Sequence, residues 1–223
     1  MTTTQKTKTN PTIRGDLSIH MAKQDLRREM RERRAAIPPA DADRAAFAAC
    51  SAALMLPVWE RVRTAALYLA IRDELDAGPL ERALRHRGIS VVLPRVVPGP
   101  RELLHFHRIE GLSNGDALMT GPMGLLEPRS DTPEVPLSSI DLFVLPGLAF
   151  DPRGARLGWG RGHYDATLAA AAGALRVAYA FEVQIVPAVP ESAGDERVDV
   201  LVTEAGARET GARPPEAPWR VRS

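Results

Sequence analysis

Residues 64–94 read TAALYLAIRDELDAGPLERALRHRGISVVLP. TAALYLA, residues 64–70, is a short apolar run of buried-strand type. Pro79 suits the first turn of a helix that ends before Gly88. ISVVLP, residues 89–94, is the next strand. Strand, helix and strand in that order predict a right-handed βαβ unit and hence parallel pairing.

Working outward, IDLFVLP, residues 140–146, is the clearest apolar strand, and ELLHFHRI, 102–109, is a further strand segment. RVAYAF and RVDVLVT supply two more. A helix is predicted over Met21 to Ala36, with a thin stripe of Leu26, Met30 and Ile37, and Pro38 and Pro39 end it. A second helix runs from about Asp41, its expected cap, to Leu56. A further helix runs from about His163 to Ala172. The expected fold class is α/β: a three-layer α/β/α sandwich around a mainly parallel or mixed sheet. One domain is expected over 21–204, with loose tails over 1–20 and 205–223.

The chain has 223 residues, 29 Lys plus Arg against 28 Asp plus Glu, and 44% hydrophobic residues. A net charge of +1 argues against nucleic-acid binding by bulk charge. The single cysteine, Cys50, excludes an intrachain disulfide and a cysteine-rich metal cluster, and reads as a small buried residue. No apolar run reaches membrane-spanning length, and the first ten residues lack a secretory signal's apolar core. A cytoplasmic protein is expected, with no membrane or nucleic-acid partner, as a monomer or weak homodimer.

The strongest chemical signal is PGLAFDPRGARLGWGRGHYD, residues 146–165, which leaves a strand and enters a helix. Ligands of open α/β sheets bind outside the carboxyl ends of strands. Gly154, Gly158, Gly160 and Gly162 permit positive φ and close backbone approach, and Arg156 and Arg161 add donors suited to phosphate or carboxylate. The segment is either a flexible surface loop or a phosphate cradle. It is neither a P-loop nor a dinucleotide fingerprint, because His163 stands where the third glycine would fall.

Lys23 and Arg27, four apart, share one helix face, with Arg34 near the same stripe. Nine basic residues face four acidic ones over residues 1–34. The stripe is either a solvated basic face or a polyphosphate clamp. Glu74 and Asp76, just past a strand, are either helix caps or carboxylates for a ligand's N–H groups or a metal. His105 and His107 alternate along a strand with no third metal ligand in view, so packing or surface roles are expected.

Together these segments resemble the 5-formyltetrahydrofolate cyclo-ligase family. The shared pieces are K-x-x-L-R (Lys23, Leu26, Arg27), Glu74 to Ala77, Leu93-Pro94, and G-x-x-G-L-x-E-P (Gly121 to Pro128). To these are added the long signature from Asp141 to Asp165 and the closing Thr203-Glu204. The resemblance implies ATP-driven conversion of 5-formyltetrahydrofolate to 5,10-methenyltetrahydrofolate, with magnesium. It places Lys23 and Arg27 near the ATP phosphates. Arg156, Gly158, Gly160, Arg161, Gly162, His163 and Tyr164 are expected to complete the nucleotide site. Lys23 and Arg161 are the expected catalytic cations, Glu74 and Tyr164 the folate-side residues, and Asp165 the metal-side carboxylate; the other reading of Asp165 is a helix N-terminal charge. His163 and Ala77 depart from the family's usual Tyr and Thr. They keep open an ATP-dependent enzyme of the same fold with another small substrate.

Overall fold

The computed structural model describes residues 11–97, 103–111, 117–121 and 124–213. The expected loose ends at 1–10 and 214–223 lie outside the described residues.

Helix α1 spans Pro11–Ala35 and begins ten residues before the predicted start, so residues 11–20 are helical rather than part of a tail. Its N-terminal half was illegible because it carries no apolar stripe: Leu17 and Met21 are exposed. Helix α2, Pro39–Leu54, is capped by Pro38 rather than Asp41, which lies in the first turn and pairs with Arg44. Extended backbone at Pro38 separates the two helices. Strand β1 is Thr64–Ala66, shorter than predicted, and past it the chain turns away from the sheet. Helix α3 is Gly78–His86 and strand β2 is Ser90–Val96. They are followed by β3 (Leu104–Arg108), β4 (Leu118–Thr120), β5 (Leu126–Pro128), β6 (Glu134–Val135) and β7 (Leu142–Leu145). Next come β8 (Ala149–Phe150), β9 (Arg156–Leu157), α4 (His163–Ala170), β10 (Leu175–Tyr179), β11 (Val200–Thr203) and β12 (Gly206–Glu209).

Eight strands form one sheet in the order β12-β11-β10-β7-β1-β2-β3-β6. The five inner strands from β11 to β2 are parallel, and β12, β3 and β6 run antiparallel. The parallel β1–α3–β2 unit is present as predicted. The expected tail from 205 is corrected in part. β12 pairs with β11, and Arg213 donates to Asp199 Oδ1 at 2.6 Å and to the Ala174 carbonyl at 2.6 Å, so this segment closes the sheet edge.

Side chains alternate between two cores, which is why the inner strands read as unbroken apolar runs. Leu142 and Val144 face α2 and α3 with Leu80, Leu84, Val91 and Val177. Phe143 and Leu145 face α4 with Leu168, Phe106 and Leu201. Ala45, Ala46, Ala49 and Ala53 let α2 lie close to the sheet, where the Tyr179 hydroxyl donates to the Ala46 carbonyl at 3.1 Å. Cys50 is buried in this layer. A third cluster, Met30 with Leu148, Ala155, Leu157 and Val189, seats α1 across the carboxyl end of the sheet.

From β1 the chain winds outward through β2. From β7 it winds the other way through β10 and β11, while β1 and β7 are parallel neighbours (Ala65↔Leu142). This is a topological switch point, and the crevice beyond the carboxyl ends of β1 and β7 is where such sheets bind ligands.

Candidate functional site

Two loops open into that crevice: residues 67–77 after β1, and residues 146–162 after β7. The second is less of a loop than its glycines imply. β8 and β9 pair as a hairpin, Ala149↔Leu157 and Phe150↔Arg156. Its turn is built on Asp151, fully buried, which accepts the amides of Arg153 (2.9 Å), Ala155 (3.1 Å) and Val189 (3.1 Å). Burial opposes the Asp151 charge, but Arg153 and these amides outweigh it and hold the carboxyl below its ordinary range. Gly154 belongs to this scaffold rather than to a cradle. Its φ is +85° and a Cβ there would lie 2.3 Å from the Val198 carbonyl oxygen.

The open rim is residues 158–162. Gly160 (φ +94°) and Gly162 (φ +76°) are exposed, and Gly162 is the left-handed cap before α4. Arg161 lies exposed between them. The first turn of α4 follows directly on this rim, and amides at a helix N-terminus suit anions.

Helix α1 brings cations to the rim. Arg27 Nε donates to the Gly158 carbonyl at 2.9 Å, and a Cβ on Gly160 would sit 3.1 Å from Arg27 Nη2. Lys23 Nζ pairs with Asp195 Oδ2 at 2.5 Å. Arg156, nearly buried, pairs with Asp165 Oδ1 at 2.7 Å and lies 5.6 Å from the centre of the Tyr164 ring. The same Asp165 oxygen accepts the Glu196 amide at 3.2 Å, which sets Asp195 beside Asp165. His163 and Tyr164 are half-buried in the first turn of α4.

Behind the rim is Glu74, its side chain only 4% exposed. Its Oε1 accepts Trp159 Nε1 at 3.1 Å and its Oε2 accepts the Ile71 amide at 3.2 Å. Burial pushes the Glu74 carboxyl above its ordinary range, while Trp159, the Ile71 amide and Arg34 pull the other way. Burial likewise raises the Tyr164 hydroxyl far above its usual value, and Glu74 adds to the effect. Asp76 differs from Glu74: its Oδ1 accepts the Gly78 amide at 2.8 Å, so it serves the start of α3. That bond also covers for Ala77, the cap residue without a hydroxyl.

The remaining motif residues are architectural. Gly121 leaves room for Glu127, whose carboxyl carbon would be 2.3 Å from a Cβ there. Glu127 pairs with Arg95 at 3.2 Å and accepts the Val96 amide at 3.2 Å, tying the β4–β5 hairpin to the end of β2. His105 contacts Glu134 at 2.8 Å, and His107 Nδ1 lies 2.9 Å from the Thr132 carbonyl.

The crevice therefore gathers Lys23, Arg27, Glu74, Arg156, Gly158, Gly160, Arg161, Gly162, His163, Tyr164 and Asp165 from segments far apart in the chain. Sequence reading missed four residues. Trp159 lies inside the glycine segment and could have been found there. Arg34, noted only as part of a basic stripe, is buried: it grips Asp73 through two bonds of 3.0 Å and the Gly147 carbonyl at 3.2 Å. Asp73 and Asp195 carried no local signal.

An α/β protein of this topology offers the crevice at its switch point as its ligand site. Over residues 19–204 the chain matches the 5-formyltetrahydrofolate cyclo-ligase family, and it belongs to that family. It is 32% identical to the 5-formyltetrahydrofolate cyclo-ligase of Escherichia coli K12 over 177 residues, 78% of this chain and 96% of that one. It is 26% identical to the Mus musculus 5-formyltetrahydrofolate cyclo-ligase over 199 residues, 84% of this chain and 96% of that one. Among solved structures, the 5,10-methenyltetrahydrofolate synthetase of Aquifex aeolicus superposes with a TM-score of 0.73 at 30% identity, covering 86% of this chain and 94% of that one. The synthetase of Mycoplasma pneumoniae, at 20% identity and a TM-score of 0.65, shares the fold.

Proposed function

We propose that this chain cyclises 5-formyltetrahydrofolate to 5,10-methenyltetrahydrofolate, converting ATP to ADP and phosphate. The observation that carries the reading is the adjacency of two unlike subsites. Trp159, within the glycine rim, touches Glu74, so an anion cradle and a buried carboxylate for N–H donors share one wall. A folate and a triphosphate bound side by side need that arrangement.

The formyl oxygen attacks the terminal phosphorus of ATP and ADP leaves. N10 then attacks the activated formyl carbon and gives up its proton. Phosphate departs with the former formyl oxygen, leaving the methenyl bridge. No protein nucleophile is needed. The protein's tasks are alignment, compensation of phosphoryl charge and exclusion of water. Lys23, Arg27 and Arg156 hold phosphate oxygens, Arg161 reaches the transferring group, and the rim amides cradle the chain of phosphates. Glu74 accepts from the pterin, and Tyr164 and His163 line the pocket.

Asp165, paired with Arg156, and Asp195, paired with Lys23, carry the hard oxygen donors that would hold magnesium here. In that role the metal neutralises phosphate charge. Lys23 and Arg156, which pair with these carboxylates, would be the cations nearest the phosphates.

The reading includes a cytoplasmic monomer or weak homodimer with a reduced folate as its partner and no nucleic acid or membrane. No helix among the described residues is long and apolar enough to cross a membrane. The test mixes protein, MgATP and 5-formyltetrahydrofolate and follows methenyl absorbance. Product formation that requires all three supports the reading; a folded protein that hydrolyses ATP against a different small substrate refutes it.

A further inference from the structure

Trp159 stands between Gly158 and Gly160, the two residues seated on Arg27. Two guanidinium groups lie over its indole ring, with Arg34 Cζ 5.6 Å and Arg72 Cζ 5.2 Å from the ring centre. Arg72 holds a left-handed backbone, φ 55°, a conformation that a long side chain adopts only at some cost. Three segments thus converge on one ring: α1, the loop after β1 and the glycine rim. The indole N–H, a donor only, is spent on Glu74 Oε1.

Counting acceptor sites shows what this does. A carboxylate offers two sites on each oxygen. On Glu74 the Ile71 amide takes one site of Oε2 and Trp159 takes one of Oε1. Arg34, 3.9 Å from Oε1, adds charge rather than a bond. One site remains on each oxygen, so the carboxylate can still accept two N–H donors, the number that the amidine group of a pterin presents.

We propose that Trp159 is a positioning residue of the folate site, which from the nucleotide rim holds the Glu74 carboxylate so that its remaining acceptor sites meet the pterin. The inference rests on the reading of Glu74 as the pterin's acceptor. It is a role for the side chain at 159, distinct from the cradle made by its glycine neighbours.

Five other groups face or surround Glu74: Arg34 from α1, Asp73 and Arg72 from its own loop, Tyr68 after β1, and Tyr164 from α4. Burial and Asp73 raise its pKa, and Trp159, the Ile71 amide and Arg34 lower it. Removing the indole N–H therefore moves Glu74 protonation to higher pH.

The variant Trp159→Phe keeps a ring against the guanidinium groups and deletes the N–H. The expected result is a KM for 5-formyltetrahydrofolate raised about tenfold, the loss of one bond to a charged acceptor. The KM for ATP stays within twofold, and the acid limb of kcat/KM for the folate shifts to higher pH. Equal rises in both KM values, or an unmoved acid limb, would show that Trp159 only packs the rim and would overturn the proposal. Trp159→Leu, compared in the same way, serves if the Phe variant folds poorly. Glu74→Gln separates the two ideas. If it leaves folate KM unchanged, the reading of Glu74 fails. If it raises folate KM while W159F does not, the positioning role alone fails.

Discussion

Replacing Arg34 with methionine tests how the site is held together. The guanidinium is fully buried and donates three bonds: two to Asp73 at 3.0 Å each and one to the Gly147 carbonyl at 3.2 Å. Bonds to a charged group contribute roughly 1.5–3 kcal/mol each when lost singly. Two features lower the total. The Asp73 side chain is 29% exposed and regains water, and Gly147 keeps the Gln184 amide at 2.7 Å. Methionine also refills part of the stack on Trp159. A net loss of about 3 kcal/mol follows, at the low end for breaking a buried pair. For a chain of this size that lowers Tm by roughly 6–12 °C.

The pH dependence sharpens the test. Burial raises the Asp73 carboxyl, but Arg34, its own amide and Arg72 outweigh burial and hold it below its ordinary value. A carboxyl depressed in the folded state adds stability above its unfolded pKa of about 3.9, and that stability is lost as pH falls through the folded value. The gap between the parent protein and R34M, read by urea unfolding, is therefore widest near neutrality and narrows below about pH 4. A gap under about 1 kcal/mol at neutral pH, or one that holds or widens in acid, would refute Arg34 as the clasp of the two loops.

Asp165→Asn, with folding checked by calorimetry, should raise the magnesium concentration for half-maximal turnover by tenfold or more; unchanged magnesium dependence would leave Asp165 only its helix-terminal charge and its bond to Arg156. Lys23→Ala should raise the KM for ATP at least tenfold; wild-type ATP kinetics in the folded variant would remove Lys23 from the phosphate site. The glycines should divide. Gly154→Ala collides with a backbone carbonyl at 2.3 Å and should cost several kcal/mol, whereas Gly162→Ala has open space around it and should lose about 1 kcal/mol to its φ of +76°, as chemical denaturation would show.

Local chemistry made much of the fold legible. The apolar run ending at Leu145 could only be a strand buried on both faces, and Pro79 with Gly88 bracketed a helix whose end falls within two residues of the prediction. Glycines in the segment after β7 permit positive φ because the absence of a Cβ is a property of the residue alone, and Gly154, Gly160 and Gly162 adopt it while Gly158 does not. What stayed hidden depends on neighbours distant in sequence. The amino-terminal half of α1 has no apolar stripe to betray it, and β12 is an edge strand with an exposed face. Asp195 reaches Lys23 across 172 positions, and no spacing rule connects them. Arg34 looks like one more surface cation until α1 is laid over the β8–β9 hairpin, where desolvation forces its guanidinium onto Asp73 and Gly147. The inner strands and the glycines that allow positive φ are thus properties of local composition. Which charges meet is set by the tertiary fold, because sheet order and the switch between β1 and β7 arise from burying every apolar face at once.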